Sequence, residues 1–406
     1  MTSAFDLNLR HLRGVSAIVA SGSVSAAAGI VSLSQPALTQ GLAKIEARLS
    51  AALFVRRPSG VVATPAGHAM AARADEAGAH LTAAMRAVRR GAVRGFAHPE
   101  QLLTMAQIRA LLALADMGSY VAAAVASGLS QPALHRAVRD VERVAGVRLV
   151  ERRGRGTALT EAGVRTARGF RLAIGALEAG LAEIGSLAGD GGGGIAIGAM
   201  PLAHARLLPD AMAALHVSHP GARMAVVEGA HRELIDQLRD GRIDLTIGAL
   251  RDPAPGPDVV QELLFVDTLA VVARARHPLV TARSADAAAL AAYPWIVSPA
   301  GTPLRDHWER MIAGIDAARP AAPIECGSVM TIRRLLLSAD YLTLLSADQV
   351  WLELDSGLLG IVRGALPAPV RMIGITTRAD WRPTDLQAGF VTMLRRIARG
   401  TVSENQ

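Results

Sequence analysis

Apolar residues recur at helical spacing along the first half of this chain, and the recurrence is itself repeated. Over 9–20, Leu9, Leu12, Val15, Ile18 and Val19 share one helical face, which Ser21-Gly22-Ser23 ends. Ser25 to Ile30 is rich in alanine and predicts a short second helix able to approach its neighbours closely. Ser34 is placed to cap a third helix, with Pro36 in a first turn where a missing N–H costs nothing. Leu38, Leu42, Ile45 and Leu49 bury one face of that helix and leave Gln35, Thr39 and Gln40 outside. Leu53-Phe54-Val55 and Val61-Val62 then flank Arg56-Arg57-Pro58-Ser59-Gly60, which predicts a hairpin with a basic tip.

The plan returns 96 residues later. Ser34-Gln35-Pro36-Ala37-Leu38 falls on Ser130-Gln131-Pro132-Ala133-Leu134, Gly22-Ser23 on Gly118-Ser119, Glu46 on Glu142, Arg56-Arg57 on Arg152-Arg153, Thr64 on Thr160 and Ala66-Gly67 on Ala162-Gly163. The second copy is expected to expose Gln131, His135 and Arg136 on its third helix, and Arg152, Arg153 and Arg155 on its hairpin. Each copy runs into a long helix with an apolar seam. Leu81, Met85 and Val88 mark the first, over 65–94, and Ile174, Leu177, Leu181 and Ile184 the second, over 161–187. A seam of this kind needs a partner, so a homodimer carrying four reading heads is expected.

Beyond a glycine-rich hinge, Gly191 to Gly194, the pattern changes to alternating strand and helix. Strands are predicted at 195–199, 224–227, 243–248, 263–265, 269–272, 295–298, 324–326 and 341–345, with helices at about 202–216, 232–239, 304–312 and 331–337. This argues for parallel sheets with helices on both faces. The segment 372–375 is expected to return to the first of two such units. Ligands of open α/β sheets lie beyond the carboxyl ends of strands. That selects Ala199, Met200 and Pro201, then Ala249 and Leu250, then Ser298 and Thr302, then Ser328 and Thr331. Helix N-termini there favour an anion, whereas the apolar residues suit a ring or chain.

Composition narrows the partners. Residues 1–190 hold 22 Lys and Arg against 13 Asp and Glu, and the remainder holds 21 against 22, so the net charge of +8 sits with the repeats. Exposed Gln and Arg on a helix entering the major groove, with arginines on phosphate, make double-stranded DNA the expected partner. Gln suits adenine and Arg suits guanine. The single cysteine, Cys326, can form no internal disulfide, and no apolar run is long enough for a membrane span. A cytoplasmic protein is expected. Metal-ligand spacings and catalytic constellations are both missing from the sequence, so neither an enzyme nor a cofactor or metal is expected. Acidic pairs such as Asp75-Glu76 read as solvated.

The run Gly22-Ser23, Ala26-Ala27, Ser34-Gln35-Pro36-Ala37-Leu38, Glu46, Leu53-Phe54, Arg56, Thr64, Ala66-Gly67 resembles the DNA-binding domain of LysR-type transcriptional regulators. Val141-Glu142, Leu149-Val150, Arg152 and Thr160-Glu161-Ala162-Gly163 resemble it a second time, directly upstream of the third unit, where the family's one copy normally stands. The resemblance implies a multidomain chain: two tandem winged helix-turn-helix domains, then a two-lobed, periplasmic-binding-protein-like α/β effector domain. The expected divisions are 1–64 and 99–160 for the winged domains, 65–98 and 161–190 for linker helices, and 191–400 for the effector domain, its second lobe at about 276–370. In the family the linker helix dimerises the DNA-binding domains. Implied partners are operator DNA, a small-molecule effector (an anionic, aromatic or sugar-derived compound), a second or further copies of the chain in a dimer or tetramer, and RNA polymerase. Alternatives are a non-specific architectural DNA-binding protein and an enzyme on a binding-protein-like fold.

Overall fold

The computed structural model describes residues 2–58, 60–88, 96–154, 156–189, 192–200, 203, 205–314, 319–364 and 370–404, with the backbone alone at 401–404. The first winged domain contains α1 (Leu9–Ser21), α2 (Val24–Ile30), α3 (Gln35–Leu49), β1 (Phe54–Arg57) and β2 (Gly60–Ala63), and it leads into α4 (Pro65–Val88). The second contains α5 (Met105–Met117), α6 (Tyr120–Ser127), α7 (Gln131–Ala145), β3 (Val150–Arg153) and β4 (Gly156–Leu159), and it leads into α8 (Glu161–Leu187).

The residues that repeat in sequence are those that build the wing. The Glu46 carboxylate accepts from the Leu53 and Phe54 N–H groups at 2.8 and 3.2 Å, and Glu142 from Leu149 and Val150 at 2.9 and 3.2 Å. Each acid therefore ties the wing to the last turns of the third helix. Thr64 and Thr160 donate to the Ala52 and Arg148 carbonyls and accept from the Gly67 and Gly163 N–H groups. Gly67 and Gly163 must be glycine because a Cβ would overlap the carbonyl oxygens of Leu53 and Leu149. Replacing Glu142 by alanine strands two half-buried donors, and urea denaturation is expected to show a loss of about 1–3 kcal/mol.

α4 and α8 pack against each other antiparallel. A Cβ on Gly169 would overlap that of Ala84, and one on Gly180 would stand 3.1 Å from that of Arg73. In the repeat Arg73 corresponds to Gly169 and Ala84 to Gly180, so these are one contact seen twice. That is the signature of an isologous interface, in which i meets j and j meets i, formed here within one chain. The segments ahead of each winged domain exchange in the same way. The Arg109 guanidinium lies 4.9 Å from the centre of the Phe5 ring, and Arg13 donates to the Gln101 carbonyl at 3.3 Å. Arg13 and Arg109 are equivalent positions, as are Phe5 and Gln101. The expectation that each seam needs a second chain is thereby corrected: the apolar residues of both seams, Leu181 only partly, are buried against each other and their own winged domains in a single core.

The third unit holds β5 (Gly194–Ala199), α9 (Leu207–Ser218), β6 (Arg223–Glu228), α10 (His231–Arg239), β7 (Leu245–Ala249), β8 (Val259–Arg274), α11 (Pro278–Thr281) and α12 (Ala287–Ala291). It continues through β9 (Trp295–Val297), α13 (Pro303–Ala313), β10 (Ile324–Glu325), α14 (Val329–Ser338), β11 (Leu342–Ser346), α15 (Trp351–Asp355), β12 (Leu359–Ile361), β13 (Val370–Arg378) and α16 (Asp385–Glu404). The strand order is β6-β5-β7-β13-β8-β11-β9-β10, with β12 also on β8. Two expectations change. The strands at 263–265 and 269–272 are one strand, β8, and the sheet is mixed because β13 returns antiparallel to β7 and β8. The polar residues that interrupt the apolar pattern of β8 have partners. Buried Asp267 accepts from the Ser346 hydroxyl at 2.6 Å and from Arg371 at 2.7 Å, where the strand passes from one lobe to the other.

In the second lobe His277 is fully buried, and its Nδ1 accepts from the Leu279 N–H at 3.0 Å, so the ring's one proton is on Nε2. Burial pushes its pKa below the ordinary value, against the opposing pull of Asp340. The unfolded chain therefore takes up this proton first. Stability from this group is complete above about pH 6.5 and declines as pH falls below that, by at most about 1.4 kcal/mol per pH unit. Thermal unfolding from pH 8 to 5 is expected to show that decline, with a flatter profile in His277→Asn.

Candidate nucleic-acid interface and effector cleft

Ser34 and Ser130 cap α3 and α7, accepting from the Ala37 and Ala133 N–H groups at 3.3 Å. Gln35, Pro36, Gln131 and Pro132 consequently form exposed first turns. Thr39 and Gln40 are exposed one turn further on, with the Thr39 hydroxyl donating to the Gln35 carbonyl at 2.9 Å. Arg136 is exposed as expected, but His135 is half-buried, its ring stacked on Tyr120 with centroids 3.7 Å apart. The sequence pattern missed this because Tyr120 lies on the preceding helix, fifteen positions away. Arg56, Arg57, Arg152 and Arg153 are exposed on the wing strands with no ion pair among the described residues. Arg155 lies outside the described residues. Eight solvent-facing glutamines and arginines on two heads thus offer amide and guanidinium donors of the kind that reads bases and phosphates.

The effector candidates fall at the strand ends of both lobes. Ala199 is buried in the first-lobe core, and Pro201 lies outside the described residues. Met200 lies over the backbone of Gly248, and Leu250 over Gly374, where any Cβ would collide with them. Ala249 closes β7 beside them. In the second lobe Thr302 caps α13 and donates to the Pro299 carbonyl at 2.7 Å, while the Ser298 carbonyl accepts from Arg305 at 3.2 Å. Ser328 caps α14, and the Thr331 hydroxyl donates to the Ser328 hydroxyl at 3.1 Å. Ser328 and Thr331 are exposed.

Sequence reasoning passed over charged residues at these same edges. Arg251 follows β7, and burial pushes its pKa below the ordinary value, against the opposing pull of Asp306 on α13. His231 opens α10 with a buried Nε2 that has no hydrogen-bond partner among the described residues, and burial followed by Arg251 holds its pKa below the ordinary value. A lone histidine and arginine after a strand carry no periodic signal; only the strand-end rule could have found them.

The third unit also clamps the linker helices. Arg73 is buried on α4 and donates to Glu183 of α8 at 3.0 Å, to Glu76 at 2.9 Å and to the Arg382 carbonyl at 2.9 Å. Glu76, expected in solvent, is half-buried because Arg73 holds it. Asp116, at the end of α5, accepts from Arg171 of α8 at 2.6 Å and pairs with Arg242 of the effector unit. Arg168 donates to Asp240 at 2.8 Å.

Residues 9–68 and 105–164 match the family model for bacterial regulatory helix-turn-helix proteins of the lysR family, and residues 188–399 match that for the LysR substrate binding domain. The chain belongs to the LysR family. This is a family of DNA-binding transcriptional regulators, not of enzymes. The chain is 29% identical to the HTH-type transcriptional regulator GalR of Pseudomonas putida over 394 residues, spanning 96% of this chain and 97% of that one. It is 27% identical to the HTH-type transcriptional regulator PcaQ of Agrobacterium fabrum, spanning 70% of this chain and 92% of that one. A full-length OxyR variant from Pseudomonas aeruginosa shares the fold, with a TM-score of 0.54 and 24% identity over 73% of this chain and 95% of that one. The two helix-turn-helix matches of the present chain pack together through their linker helices.

Proposed function

We propose that this LysR-family regulator binds operator DNA sequence-specifically through Gln35, Pro36, Thr39, Gln40, Arg56 and Arg57 on one head and Gln131, Pro132, His135, Arg136, Arg152 and Arg153 on the other, and that a small-molecule effector controls it. The arginines exposed on both wings, without an ion pair among the described residues, carry this reading. The effector site is the cleft at Ala199, Met200, Pro201, Ala249, Leu250, Ser298, Thr302, Ser328 and Thr331, completed by Arg251 and His231. Arg251 and the capped starts of α13 and α14 favour an anion, and Met200 and Leu250 favour an apolar body on it. The partners are thus double-stranded DNA, a small anion and further copies of the chain as a homodimer or tetramer, with RNA polymerase beside the operator. A DNA partner accords with a cytoplasmic location.

An effector acts only if it binds one arrangement of the lobes better than another. The contacts of Asp240 and Arg242 with Arg168, Asp116 and Arg171 give the first lobe a direct hold on the second reading head. The test is recovery of genomic fragments retained by the purified full chain, followed by footprinting. Arg136→Ala is expected to weaken specific binding by about 1–3 kcal/mol while sparing non-specific binding, whereas Arg152→Ala weakens both and flattens the salt dependence. Retention of random DNA as strong as that of any fragment would exclude sequence-specific regulation.

A further inference from the structure

The isologous contacts within the chain place two reading heads on one pair of linker helices, and the heads are not identical. Gln35 and Gln131 are equivalent and both exposed, so each head offers the same amide at the start of its recognition helix. One turn on, Gln40 stands where the second head has Arg136, and both are exposed. At the neighbouring position Thr39 turns its hydroxyl back to the Gln35 carbonyl, whereas His135 is stacked on Tyr120. Neither of these has a donor as free as Gln40 or Arg136. Gln40 and Arg136 are therefore the chief chemical difference in the first two turns of the recognition helices; one turn further on, exposed Ala43 stands where the second head has Arg139, and Lys44 where it has Asp140.

An amide matches the N6 and N7 edge of adenine, and a guanidinium matches the O6 and N7 edge of guanine. An ordinary two-fold dimer presents the same residues twice and mirrors a palindrome. A head pair made from one chain has no such requirement. We infer that one chain occupies a complete two-half-site operator unit and reads it asymmetrically, Gln40 selecting adenine in one half-site and Arg136 selecting guanine at the equivalent position of the other. This rests on the sequence-specific reading proposed above. The two half-sites share the base met by Gln35 and Gln131 and differ at the base met by Gln40 and Arg136.

The test is selection of the full chain on randomised duplexes, comparing the unaltered protein with Gln40→Arg and Arg136→Gln. Both substitutions lie on exposed helix positions, and a melting curve confirms that each variant is folded. The unaltered chain is expected to recover two unequal half-sites. Gln40→Arg is expected to shift one half-site from adenine to guanine by about tenfold or more, leaving the other unchanged and making the two half-sites alike at that base. Arg136→Gln is expected to make the opposite change in the other half-site. A palindrome recovered by the unaltered chain, with each variant changing both arms together, would overturn the asymmetric reading, as would a Gln40→Arg variant that changes neither arm. Sequence-specific binding with either of those results leaves the regulator standing and removes only this inference; no preferred sequence in any of the three proteins removes both.

Discussion

Replacing Arg73 by methionine is expected to lower the stability of the chain by about 3–5 kcal/mol, because it leaves two carboxylates without their shared cation. The Arg73 side chain is 5% exposed, and its partners Glu76 and Glu183 are 14% and 23% exposed, so water can restore little of what is lost. The guanidinium joins three segments that are distant in sequence: α4 through Glu76, α8 through Glu183 and the effector unit through the Arg382 carbonyl. Chemical denaturation is expected to report the loss as an earlier midpoint, with the winged domains released from the effector unit. A second variant, Arg73→Met with Glu183→Leu, removes one uncompensated charge and is expected to recover part of the stability. A loss below about 1 kcal/mol would place Arg73 among surface pairs of small effect.

Gly169→Leu is expected to have the next largest effect. A Cβ at this position already overlaps that of Ala84 and stands 3.2 Å from the His80 carbonyl, so any longer side chain forces α4 and α8 apart. Overpacking of this kind costs about 1–3 kcal/mol, and here it also moves one reading head relative to the other. Gly175 lies on the same helix with no atom within 4 Å of an added Cβ. Gly175→Ala is therefore expected to stabilise the chain by up to about 1 kcal/mol through helix propensity alone. Opposite signs at two glycines six residues apart would locate the close approach. Specific DNA binding by the Gly169→Leu variant, measured by titration, is expected to fall by about tenfold or more, whereas a shift of the helices without a change in binding would separate the pairing from operator recognition.

Much of this architecture is legible in the sequence. The N-caps, the third-helix face and the wing follow from local rules, and their repetition doubled the signal: Glu46 with Glu142 and Thr64 with Thr160 make the same bonds twice. The pairing of the seams was not legible. An apolar stripe announces burial but not its partner, and a stripe that meets its own repeat looks the same as one that meets another molecule. The clue lay in the glycines: Gly169 and Gly180 interrupt α8 where Ala84 and Arg73 approach. The fusion of the two effector strands into β8 was hidden by Asp267, whose burial depends on Arg371 and Ser346 from distant strands. The half-burial of His135 depends likewise on Tyr120 from another helix. The ionisable residues at the strand ends, Arg251 and His231, were missed because a single residue after a strand has no period.

In the inferred complex one chain supplies both reading heads of an operator unit. It is tested most directly by titrating the full chain against a duplex carrying one selected two-half-site unit, at concentrations far above the dissociation constant, and reading the ratio at saturation. One chain per duplex is expected, a ratio that association through the effector units leaves unchanged when duplex is in excess. Two chains per duplex, with one head of each on the DNA, would contradict it.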